Sequence, residues 1–145
     1  MRRKRCAAGV LAMAGIGAWA AGPLQAQDGR PPITVELNKL EPADQACRLF
    51  LLLHNGSEQA YDALTLELVS FDRDGLIGQR LAVDLAPLRA QKTSVRLFDL
   101  PDTDCGQVSR VLLNDVSACS VGGVGVDGCL DRIQISSRGP VPFFK

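Results

Sequence analysis

Apolar and polar positions alternate with a period of two along most of residues 33–136. Ile33, Val35 and Leu37 are interleaved with Thr34, Glu36 and Asn38. Leu49, Leu51 and Leu53 alternate with Arg48, Phe50, Leu52 and His54, and Leu64, Leu66 and Leu68 with Thr65 and Glu67. Leu81, Val83 and Leu85 stand among Arg80, Ala82 and Asp84, and Val95 and Leu97 between Ser94, Arg96 and Phe98. Residues 108–116 are more continuously apolar, interrupted by Arg110, Asn114 and Asp115; Ile133 and Ile135 then alternate with Arg132, Gln134 and Ser136. A period of two sends alternate side chains to opposite faces of a strand, one buried and one wet. Turn residues separate the runs: Asn55-Gly56-Ser57, Asp74-Gly75, Ala86-Pro87 and Pro101-Asp102. About seven short strands so spaced predict an all-β fold, a small antiparallel sandwich.

One hairpin has a register that can be worked out. A two-residue turn at Asp74-Gly75 sets Leu68 opposite Leu81, Leu66 opposite Val83 and Leu64 opposite Leu85. All three pairs put apolar residues on one face, and a slip by one residue destroys that face.

The N-terminus changes the picture of where the chain works. Arg2, Arg3, Lys4 and Arg5 precede an uncharged apolar stretch over 6–21, and Pro23 and Leu24-Gln25-Ala26 follow. This is the pattern of a signal peptide, 1–26, cleaved after Ala26 to leave a single sandwich domain over 27–145. The apolar run is shorter than the roughly 20 residues a membrane-spanning helix needs, so no integral span is expected after cleavage. The expected location is the periplasm, by the general secretory route. The Arg2-Arg3 pair also fits twin-arginine export, although Lys4 and Arg5 stand where that signal wants an apolar residue. The whole 145-residue chain is formally neutral, but without the four leader cations 12 basic residues face 16 acidic ones. An acidic domain is a poor fit to nucleic acid, which needs a basic face.

Four cysteines remain after the leader: Cys47, Cys105, Cys119 and Cys129. In an exported chain they read as two disulfides, and no close Cys pair or nearby His suggests a metal site. In an immunoglobulin-like strand order the second and sixth strands begin at the same end, which brings Cys47 to Cys105. Cys119 and Cys129 then flank the connection to the seventh strand and close it as a stapled loop. The other pairings must cross from one end of the sandwich to the other.

Several segments resemble a family of uncharacterised proteobacterial exported proteins. They are Phe71-Asp72-Arg73-Asp74-Gly75, the stretch from Pro87-Leu88 to Phe98-Asp99, Arg110–Val116, and the ending from Ser136 to Lys145. The resemblance spans nearly all of 27–145 and implies no activity or binding residues. More loosely, the strand, Asp-x-Asp-Gly turn and second strand resemble secreted immunoglobulin- or fibronectin-like sandwich domains. That resemblance implies fold only.

Candidate chemistry is sparse. Asp72-Arg73-Asp74-Gly75 is similar to the start of a calcium loop, but Leu76 and Val83 stand where oxygen ligands are needed. The glycine-rich stretch 121–128 lacks the lysine of a phosphate loop. Gly122, Gly123 and Gly125 therefore read as a stapled loop, with partner binding at the sandwich end as the sharper expectation. His54 is the one histidine, and no nucleophile motif accompanies it. Asp102 and Asp104 are ordinary turn material. Arg110, Asn114 and Asp115 read as the wet side of a strand with irregular register, or else as a polar functional patch. The extended tail 138–145 ends in Phe143, Phe144 and Lys145; it either plugs the open end of the sandwich or anchors in a partner groove. With no catalytic residues, cofactor motif or metal set expected, the reading is a non-enzymatic binding module. Its partner would be an envelope protein or a peptide. The alternatives are a small-ligand or metal carrier, and an enzyme with dispersed residues.

Overall fold

The alternating runs become strands because each has one face of branched apolar side chains that only a facing sheet can bury. The computed structural model describes residues 33–145, so the signal peptide read at 1–26 lies outside the described residues. One sheet has the order β5 (Lys92–Pro101), β2 (Ala46–Asn55), β1 (Ile33–Ala43), β8 (Ile133–Ser137). The other runs β4 (Ile77–Asp84), β3 (Ala63–Phe71), β6 (Arg110–Val121), β7 (Val124–Gly125), with β9 (Phe143–Phe144) also on β6. Between them lie the alternating leucines of β2 and β3, with Ile33, Val35, Val83, Leu85, Leu113 and Ile133, all buried.

The chain is nearly all β, but its sheets are mixed rather than antiparallel. β8 pairs with β1 in parallel, Ile33 with Ile133 through Leu37 with Ser137. β9 pairs in parallel with β6, Val111 with Phe143 and Leu112 with Phe144. In an immunoglobulin order the last long strand lies beside β6; here that strand, β8, lies beside the first strand. The cause is the connection after β6. β7 folds back on β6, and the single helical turn α1 (Cys129–Arg132) carries the chain across to the other sheet. There Ile133 is buried next to Ile33.

The β3–β4 register is the one worked out from the sequence, with Leu66 opposite Val83 and Leu68 opposite Leu81. The route to it differs. Asp72–Leu76 form a longer loop, closed by the Asp72 N–H donating to the Leu76 carbonyl at 2.9 Å. Residues 78–79 bulge opposite Ser70, whose hydroxyl accepts from the Gln79 N–H at 2.9 Å. The bulge compensates for the longer loop and returns the leucines to alignment. Gly75 has φ +80° in this loop, a conformation that a β-branched residue resists.

β5 is turned over relative to the alternation reading. Val95 and Leu97 are 50% and 47% exposed, while Ser94, Arg96 and Phe98 are half-buried on the inner side. Pairing with β2 decides this: Leu49, Leu51 and Leu53 face the core and stand opposite Phe98, Arg96 and Ser94. β6 carries two bulges against β3, at residues 114 and 117. They put Asn114, Asp115 and Ser117 in solvent while Val111 and Leu113 remain buried, which is the irregular register read from the sequence.

Candidate interaction surface

The four cysteines pair as Cys47–Cys105 and Cys119–Cys129. In the loop-entropy picture bridges of these spans contribute about 4 and 3 kcal/mol. Two disulfides fit an oxidising, extracytoplasmic environment. No helix among the described residues is long and apolar enough to cross a membrane.

Inside the second staple, the glycine stretch is a defined turn. Gly122 and Gly123 take φ values of +60° and +76° between β6 and β7. The Gly123 N–H donates to the Asp62 carboxylate at 2.8 Å. Desolvation pushes the Asp62 carboxyl up, but the backbone N–H groups of Gly123, Asp62 and Gly122, with the Ser120 hydroxyl, together hold it below the ordinary aspartate value. Gly122, Gly123 and Gly125 are exposed, and Val124 at the tip is 69% exposed.

The tail folds back across the same sheet. The Val111 N–H donates to the Pro142 carbonyl at 2.9 Å. Phe143 is buried in the core, and Phe144 is half-buried beside Phe71, their ring centroids 6.2 Å apart. Arg110 lies over the Phe71 ring at 4.5 Å and faces Phe144 at 5.7 Å. Lys145 donates to the carbonyls of Leu130 and Ile133. Phe143 thus contributes to the core, while the glycine turn stands in solvent between Cys119 and Cys129.

A surface the sequence reading missed lies on the outer face of β2 and β5. Leu52 stands opposite Val95 and Phe50 opposite Leu97, so four apolar side chains meet in two adjacent rows. Lys39 caps one end, its ammonium 4.3 Å from the Phe50 ring centroid. The Arg48 guanidinium binds both Asp99 carboxylate oxygens at 2.7 and 2.9 Å, which holds that carboxyl below its ordinary value. His54 closes the other end, its Nδ1 3.1 Å from the Thr93 hydroxyl. The signal was present in the sequence: Phe50-Leu51-Leu52-Leu53 is apolar on both faces of β2, one face more than burial requires.

Beside β5, on its inner side, lies a pocket of about 260 Å³ lined by Pro87, Arg89, Lys92, Ser94 and Arg96. Its position is set by Asn55, fully buried at the end of β2. The Asn55 amide donates to the carbonyls of Gln59, Arg89 and Leu88 at 2.7, 3.2 and 3.4 Å, and its oxygen accepts from the Ser57 N–H and hydroxyl. A second cleft, of about 300 Å³, opens at the other end among Leu37, Leu40, Cys105, Pro140 and Val141. Among the described residues no group of three or more His, Cys, Asp or Glu side chains is placed to hold a metal ion.

These features define a two-sheet sandwich, stapled twice, with an open edge and an apolar outer face. The fold is shared with a bacterial protein of known structure, IrmA from Escherichia coli, at a TM-score of 0.52 and 14% identity. The match covers 72% of this chain and 90% of the IrmA chain. No protein-family model and no curated protein matches the sequence.

Proposed function

We propose that the chain is an exported, non-enzymatic binding module of the periplasm, built on an immunoglobulin-related sandwich whose last long strand has moved to the opposite sheet. Its partner is an envelope protein or a peptide. One observation carries the reading: Phe50, Leu52, Val95 and Leu97 form contiguous apolar rows on an outer sheet face. Scattered exposed apolar residues need no explanation, but contiguous ones mark interaction sites. Photo-crosslinking from position 97 in the intact envelope tests the reading. A reproducible adduct with one envelope protein, lost on Val95→Lys, is expected. Absence of any adduct from position 97 and from reference positions 76 and 124 overturns it.

A second reading, a carrier of a small apolar ligand, draws on the cleft among Leu37, Leu40, Pro140 and Val141. Native mass spectrometry of the protein checks it: a bound small molecule of constant mass supports the carrier, and a bare protein mass removes it.

A further inference from the structure

Resting on the reading of the chain as a polypeptide-binding module, we propose that the free edge of β5 accepts an extended partner segment in which an acidic residue sits between apolar ones. β5 ends its sheet, so half of its backbone groups have no strand partner. An added strand continues the ladder and presents its side chains alternately to the two faces. Those on the outer face fall beside Val95 and Leu97, which are half-exposed and apolar. Those on the inner side fall over the pocket lined by Arg89, Lys92, Ser94 and Arg96. That pocket has three cations and no acid, and among the described residues none of the three is in an ion pair.

Arg96 couples the two features. Its Nη1 donates to the Val95 carbonyl and its Nη2 to the Pro87 carbonyl, both at 3.3 Å. The guanidinium therefore covers an edge acceptor. A carboxylate arriving over the pocket pairs with the guanidinium and draws it off, leaving the Val95 carbonyl to an incoming backbone N–H. A segment without an acid leaves the cover in place. A second copy of this chain is a poor occupant. The inner-side positions of its own β5 are Lys92, Ser94, Arg96, Phe98 and Leu100, which offer cations to cations.

The test uses the protein with both disulfides intact and capped nonapeptides of alternating threonine and valine with glutamate at the centre. Titration by fluorescence anisotropy is expected to show binding that weakens about fivefold or more when the glutamate is replaced by glutamine. Methylating alternate backbone nitrogens on the edge-facing side abolishes binding. Arg96→Ala brings the two peptides to within about twofold of each other, because cover and charge are lost together. Should that variant fold poorly, Arg89→Glu with Lys92→Glu, both exposed, reverses the preference in favour of a lysine-centred peptide. No binding of the glutamate peptide, equal binding of the glutamine peptide, or binding that survives N-methylation overturns the proposal. So do amide shifts confined to residues outside 87–99, or self-association of the protein as its sole response. A crosslinked envelope partner contacting residues away from this edge overturns the edge and leaves the module standing. Absence of any crosslinked partner removes the module itself.

Discussion

Replacing Asn55 with alanine is the most informative single test of how the domain is held. The side chain has no exposure and makes contacts in both directions, donating to three carbonyls and accepting two bonds from Ser57. Two N–H groups serve three oxygens, so one bond is shared. Asn55→Ala leaves the Ser57 N–H and the Arg89 carbonyl unpaired, while the Gln59 carbonyl keeps the Ser57 hydroxyl as its donor. Each buried group left without a partner costs about 1–3 kcal/mol, and entry of a water lowers the total, giving about 3–4 kcal/mol. For a domain of this size that is a fall in melting temperature of about 10–15 °C. Ser57→Ala is the internal control: it removes a hydroxyl but leaves the amide network, and about 1 kcal/mol is expected. Urea unfolding followed by circular dichroism measures both variants, with the slope against denaturant confirming a common transition. If Asn55→Ala costs no more than Ser57→Ala, the buried amide is not what ties the β2 end to the 86–91 loop, and the argument fails.

Leu66→Asp, which buries a charge opposite Val83, is expected to cost several kcal/mol, whereas Gly75→Val costs about 1 kcal/mol through its positive φ alone; an unchanged melting temperature for Leu66→Asp would show that this face is not the core. Phe143→Ala should cost about 3 kcal/mol and Phe144→Ala distinctly less, since only the first ring is in the core, and thermal melts of the two compare them directly. Glu36 is held below the ordinary glutamate value, first by its hydrogen bond from Arg138 and then by that from Asn38; Asp99 is held low by Arg48. Depressed carboxyls contribute stability that is complete above their unfolded values, 4.5 for Glu36 and 3.8 for Asp99, and lost as pH falls through the lower folded ones. Acid titration of stability should therefore flatten in Glu36→Gln, and an unchanged slope below pH 4.5 would count against the pair.

Legibility followed the number of readings a residue pattern allows. Leu64, Leu66 and Leu68 alternate with polar residues and meet Leu81, Val83 and Leu85 in one register only, so the pairing was readable before its turn was. The five-residue loop and the bulge opposite Ser70 cancel in that arithmetic, which is why the register survived a mistaken turn. The cysteines were readable because strand ends offered few partners. β5 was not, because Val95 and Leu97 alternate with a phenylalanine and an arginine whose stem also packs inward. Only the pairing with β2 chooses between the two faces. The parallel pairing of β8 with β1 has no local signature at all: Ile133 and Ile135 read the same beside either sheet. Asn55 reads as turn material, since a buried hub and a solvent turn use the same residue types.

The pairing of Ile33 with Ile133 joins the first and last long strands of the described domain. A contact of that sequence separation closes a very large loop, and its entropy must be offset before the pairing returns anything. The first sheet therefore lacks its outermost strand until residues 133–137 are available, whatever else has formed. Until then the inner face of β1, with Ile33 and Val35, has no neighbour at its edge. A nascent chain that lacks this stretch is thus barred from its finished sandwich by topology. Residues 133–137 are the stretch that completes the sheet, so closure of the sandwich waits on a segment one hundred positions from the strand it joins.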